Sequence, residues 1–241
     1  MSGKLYHLLL TISAVSVLTF CSNNKTANSS FIPLERIIDS LETLGYFKYA
    51  EPSKVDTLKK EVLNGLKEDY LSTIYNEEEP YNSLDYRHYD LDGETIFEQG
   101  GFVEKMEDMQ GVFKMMNVTM KIDSHFEDWN EKKKWLNHRI TINGKEYIIF
   151  KNFSSGYGWG EAAQRFAEIV NDQLELQKSD ERLYLVNAGN DGNAVFLTQS
   201  QYALLDPVLK DPANRPLEVK KWCKEMQVDP NNYIQNENKR N

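Results

Sequence analysis

Asn143-Gly144 lies between two short alternating stretches, residues 139–142 and 145–150, and constrains the fold more tightly than any other feature of the chain. Asn and Gly tolerate the positive φ angles of a type I′ turn, whose twist suits the strands on either side. Pairing Ile142 with Lys145 across that turn puts Ile140, Ile142, Tyr147 and Ile149 on one face. A lone hairpin is marginally stable in water, so this apolar face calls for further strands and a covering layer. Residues 118–126 alternate and predict a strand, followed by a charged loop over 127–134. Residues 183–187 and 194–197 predict a second hairpin around NAGNDGN, and residues 86–91 and 94–97 a third around Asp92-Gly93.

Between these stretches the apolar period changes to that of helices. Leu34, Ile37, Ile38, Leu41 and Leu44 share a helical face that Gly45 ends. Ser53 and Asp56 are spaced as a capping box for a second helix with Val55, Leu58, Val62 and Leu66 inside. Phe102, Met106, Met109, Phe113 and Met116 recur at steps of four and three, one buried face after the break at Gly100-Gly101. A later helix over 161–177 buries Ala163, Phe166, Ile169, Val170 and Leu174. Thr198 and Gln201 predict a capped short helix carrying Tyr202 and Leu205. Pro216 suits the first turn of a last helix with Val219, Trp222, Cys223 and Met226 inward. Hairpins interleaved with helices predict an α+β fold: a mostly antiparallel sheet of about six strands covered by amphipathic helices. The helix over 161–177 is expected to carry the chain back, so that the strand at 183 runs parallel to that at 145–150. Loops 154–160 and 187–193 would then share one end of the sheet.

The 241 residues are enough for one sizeable core, and 40% hydrophobic content excludes a disordered chain. A formal charge of -9 repels phosphate backbones, which speaks against nucleic acid as a partner. No basic amphipathic stretch suits an anionic bilayer surface. The run from Leu5 to Phe20 is apolar after Lys4, yet short of the ~20 residues of a spanning helix. It has the character of an export signal.

Leu18-Thr19-Phe20-Cys21 resembles the lipobox of bacterial lipoproteins, with Phe20 where that family usually has a small residue. The polar stretch SNNKTANSS that follows is similar to the flexible tethers of such proteins. The resemblance implies a signal peptide over 1–20, lipidation of Cys21, a tether over 21–30, and a cell-envelope location on a membrane through the lipid anchor alone. It covers only this beginning of the chain. One α+β domain over 31–228 and a frayed tail over 229–241 complete the expected organisation. With Cys21 lipidated, Cys223 has no disulfide partner.

Strong catalytic signatures are missing: no G-x-S-x-G, H-E-x-x-H, G-K-[ST] or C-x-x-C occurs. His88-x-Asp90 and His125-x-Glu127 each place an imidazole and a carboxylate on one strand face. Together they would offer N and O ligands to a metal if their strands paired; solvated strand faces explain them as well, and no metal or cofactor is assigned. Asp90-Leu-Asp92-Gly93 resembles part of a calcium loop but lacks its end ligands, and a hairpin turn accounts for it. Gly156, Gly158 and Gly160 precede a helix start without the Lys or Ser/Thr of a phosphate loop. Tyr157 and Trp159 in that loop offer flat faces to a sugar or peptide, and Trp159 beside Phe166 is equally suited to plug the core. Asn187, Asn190 and Asp191 make the other candidate recognition loop, whose Asn and Gly content also serves simple turn formation.

These features favour a noncatalytic cell-envelope lipoprotein binding a protein, peptide or glycan. The rivals are an envelope hydrolase with a scattered carboxylate and histidine site, in which Glu127 and Asp128 are a candidate pair, and an immunity or inhibitor-type protein.

Overall fold

The two residues at the centre of the Asn-Gly turn adopt φ of +51° and +78°, the type I′ geometry, in a computed structural model that describes residues 33–77, 83–154, 158–188, 190 and 192–234. Ile142 pairs with Lys145, and β3 (Trp135–Ile142) and β4 (Lys145–Phe153) run antiparallel from there; β1 is His88–Asp90 and β2 is Ile122–Asn130. Ile140, Ile142, Tyr147 and Ile149 are all buried. The β3–β4 register slips on either side of His138, so adjacent Ile149 and Phe150 both turn inward. β2 completes a sheet of order β2-β3-β4. It begins and ends four residues later than its alternation predicts and takes in part of the expected charged loop. As an edge strand, β2 keeps its polar residues in solvent, so charge is no obstacle to pairing.

The other hairpin forms as expected from β5 (Glu181–Val186) and β6 (Asn193–Thr198), and β1 adds to it in the order β1-β6-β5. Among the described residues the fold is thus α+β, with six antiparallel strands divided between two three-stranded sheets. The expected parallel placement of the strands at 145 and 183 fails, because β4 and β5 belong to different sheets. Both faces of β5 and β6 are buried. Leu183, Leu185, Ala194 and Phe196 join one core with β3, β4 and α6 (Trp159–Leu176). Tyr184, Val195 and Leu197 join a second with α1 (Leu34–Thr43), α2 (Val55–Lys67) and α7 (Gln199–Leu205). Apolar residues at both parities give such a strand two dry faces.

The helices follow the apolar period, with informative departures at their ends. Gly45 takes φ +69° and ends α1, while Leu44 turns outward. The Ser53–Asp56 box does not form: Pro52 starts a 3-10 turn, so Ser53 is already inside the turn and Lys54 holds the cap position. Thr198 and Gln201 do form a reciprocal capping box on α7. The hairpin expected at Asp92-Gly93 is instead the start of α3 (Gly93–Phe97), where Asp92 Oδ1 accepts the Glu94 N–H at 2.8 Å. The face from Phe102 to Phe113 is buried as predicted, on α4 (Gly101–Asp108) and α5 (Gln110–Met115). A Cβ on Gly101 would stand 1.8 Å from the Thr95 carbonyl oxygen, so only glycine lets α4 turn back against α3. Pro216 lies before α8 (Val219–Glu225), whose cap is Glu218.

Arg87, fully buried, ties the helical layer to the sheet. It donates to the carbonyls of Gly45 (2.9 Å), Tyr46 and Phe196 (2.8 Å) and to Glu181 Oε2 (3.1 Å). Lys48 pairs with the other Glu181 oxygen at 3.0 Å. The tail does not fray at 229: Pro230 accepts from Gln164, Asn232 donates to Glu161, and the Tyr233 carbonyl accepts the Lys151 N–H. The expected signal, Cys21 and the tether lie outside the described residues, as does the end of the tail. Among the described residues no helix is long and apolar enough to cross a membrane.

Candidate functional site

A cleft of about 240 Å³ opens where the ends of β5 and β6 meet the turns that follow α2 and α7. Tyr70, Leu71, Thr73 and Tyr75 form one wall, Asn187, Asn193 and Ala194 the sheet side, and Ala213 with Asn214 a third edge; His88 reaches in from β1. Each wall is fixed by local chemistry. Asp69, at φ +63°, accepts the backbone N–H groups of Lys210 and Asp211 at 2.7 and 2.9 Å, joining the turn after α2 to that after α7. The Asn187 carbonyl accepts the indole N–H of buried Trp222 at 2.5 Å, and Asn187 takes φ +57° to present it. Tyr70 and Tyr75 remain 42% and 49% exposed, which leaves aromatic faces for a ligand.

Behind the cleft, His88 Nε2 lies 3.0 Å from the Tyr46 hydroxyl and 3.5 Å from Asp85 Oδ2. Burial, with the nearby Arg87 guanidinium, pulls the His88 pKa down to about 3, so the ring is neutral. Burial pushes Asp85 up to about 6 against the opposing pull of Arg87. Burial, then the Asp85 carboxyl, raises Tyr46, which keeps its phenolic proton. At neutral pH, no described residue lining the cleft carries a charge, although the chain as a whole is acidic. None of them is a carboxylate, lysine, cysteine or serine either. Through its described residues the cleft can hydrogen-bond and stack, and none of them supplies the acid–base pair that hydrolysis needs.

Of the residues singled out from the sequence, Asn187 and His88 enter this cleft. Asn190 does not; its side-chain amide donates to Glu94 on α3 at 3.1 Å. Trp159 is half-buried in the first turn of α6, and a Cβ on Gly93 would meet its carbonyl at 2.6 Å. Both candidate loops therefore touch α3. Tyr157 and Asp191 lie outside the described residues. Gly158 and Gly160 face Phe97, Phe153 and Val228, so protein fills the space a phosphate would need. The Asp92 carboxylate is taken up in capping α3, which removes it from any calcium loop. Glu127 and Asp128, adjacent on β2, point to opposite faces and cannot act as a pair. His88 and His125 stand in different sheets, so the two His-x-acid pairs do not join. His125 and Glu127 instead converge with His138.

The cleft residues unread in the sequence are Tyr70, Leu71, Thr73, Tyr75, Ala213 and Asn214. Closely spaced tyrosines after α2, outside any apolar period, are the one local sign of them. Compared with known proteins, the chain matches no family model, no curated protein and no solved structure.

Proposed function

We propose that this chain is a noncatalytic, exported binding protein, tethered to a cell-envelope membrane through lipid on Cys21, whose cleft takes an uncharged glycan unit. The neutral, aromatic and amide-rich lining of the cleft carries this reading. Sugars present hydroxyls that pair with amides and C–H faces that pack on aromatic rings, and both are provided here. An anionic ligand would find no cation among the described residues of the lining. The volume lies below the ~300–1,000 Å³ of pockets for drug-sized ligands, so it suits one sugar residue of a longer chain.

Titration of the chain with neutral monosaccharides and oligosaccharides, followed by ligand-observed NMR, tests the cleft. Tyr75→Ala removes an exposed ring and is expected to weaken binding about tenfold, roughly 1.4 kcal/mol, while thermal stability is nearly unchanged. Binding of anionic sugars alone, or release of cleaved product, would refute the reading. The tether has its own test: Cys21→Ala is expected to abolish fatty-acid labelling in cells and release the protein from the membrane fraction. Labelling that persists in this variant would overturn the lipoprotein assignment.

A further inference from the structure

Away from the cleft, strand register builds a second constellation. Glu127 on β2 stands directly opposite His138 on β3, and His125 stands opposite Ile140. Since alternate residues share a face, His125, Glu127 and His138 lie together on the side that carries Ile140 into the core. One ligand atom from each lies within 4.8 Å of the other two. The two imidazole Nε2 atoms are 2.8 Å apart, and His125 Nε2 is 3.8 Å from Glu127 Oε2. Bonds of about 2.0–2.2 Å in a tetrahedron hold neighbouring ligands roughly 3.3–3.6 Å apart, a spacing that these two distances bracket. An ion would need to part the rings by about 0.5 Å, within the reach of side-chain rotation on an edge strand.

The surroundings hold the donors in place. His138 is 3% exposed, with its ring against the edge of Phe102 at 5.6 Å and beside Phe150 at 6.4 Å. The Gly100 N–H donates to Glu127 Oε2 at 3.1 Å and orients the carboxylate. Gly100 does so from φ +86° at the start of α4. The bulged β3–β4 pairing on either side of His138 is the kind of irregularity that re-aims a side chain. The His125 side chain is 27% exposed, so the cluster opens toward solvent.

We infer that His125, Glu127 and His138 form a binding site for a divalent transition metal of the zinc class, with its remaining coordination position left to water. Two imidazoles and one carboxylate suit zinc and its first-row neighbours, whereas calcium and magnesium require mostly oxygen ligands. The site is independent of the glycan reading: its residues lie in the β2-β3-β4 sheet and share none with the cleft.

The test uses the full chain, purified without a histidine tag and stripped with chelator, titrated with zinc chloride and with cobalt chloride at pH 7.5. One equivalent of metal is expected to bind, with visible cobalt absorption and altered ¹⁵N shifts at two imidazoles. His125→Ala, at a partly exposed edge-strand position, is expected to weaken zinc by more than the ~10–100-fold that losing a supporting outer-shell group costs. Glu127→Gln keeps the side-chain size and is expected to weaken it in the same direction. Absence of saturable one-equivalent binding to the wild-type chain would overturn the proposal. So would binding unchanged in both variants. The 2.8 Å contact would then be a hydrogen bond between two imidazoles and nothing more.

Discussion

Arg87→Ala is expected to lower the free energy of unfolding by about 3–5 kcal/mol, the cost of removing one partner of a buried charge pair. Total stabilities are roughly 5–15 kcal/mol, so the variant would be close to unfolding at growth temperature. The loss comes from the groups left behind. Glu181 is 97% removed from solvent and keeps only Lys48, whose side chain is half exposed. The carbonyls of Gly45, Tyr46 and Phe196 each lose the guanidinium N–H that donates to them. Lys48→Ala is the control: its ion pair is partly hydrated, and the expected loss is below about 1 kcal/mol. Urea unfolding followed by circular dichroism measures both. An Arg87→Ala loss as small as that of Lys48→Ala would mean that the helical layer does not depend on this clamp.

Trp222→Ala is expected to cost a further large amount, about 3–5 kcal/mol, and to disturb the cleft as well. The indole is 1% exposed, and its N–H holds the Asn187 carbonyl at the end of β5. Truncation leaves a cavity in the core and frees a cleft-lining residue from its positive-φ position. Trp222→Phe separates the two effects. It retains most of the buried area and loses the hydrogen bond, so glycan binding should fall more than stability. Differential scanning calorimetry beside the sugar titration reads both quantities. If the alanine variant melts within a few degrees of the wild-type chain, the tryptophan is not a core residue.

The partial reading of the two sites from the sequence has a common cause. His125-x-Glu127 is visible as a pair because strand periodicity acts over two residues. Its third member depends on the β2–β3 register, and the expected partner, His88, belongs to the other sheet. The cleft collects residues near positions 70–75, 88, 186–187, 193–194 and 213–214, and no local pattern announces their meeting. Arg87 gives no sign of burial either, since its partners stand 41 to 109 residues away along the chain.

Features governed by a few adjacent residues were determined by the sequence itself. The Asn143-Gly144 turn, the Thr198–Gln201 cap, the Gly45 stop and the buried faces of α1, α2 and α6 depend on φ preferences, short hydrogen bonds and apolar spacing within one or two turns. The α+β class follows from them. Only the tertiary structure decided how six strands divide into two sheets, and that Asp92-Gly93 opens a helix rather than a hairpin. The same dipeptide serves either end, and the choice falls to partners far along the chain: β1 pairs with β6, some hundred residues on, which frees Asp92 to cap α3. Such long-range contacts carry no periodic mark in the sequence, because burial against a distant segment rewards any residue that fits there.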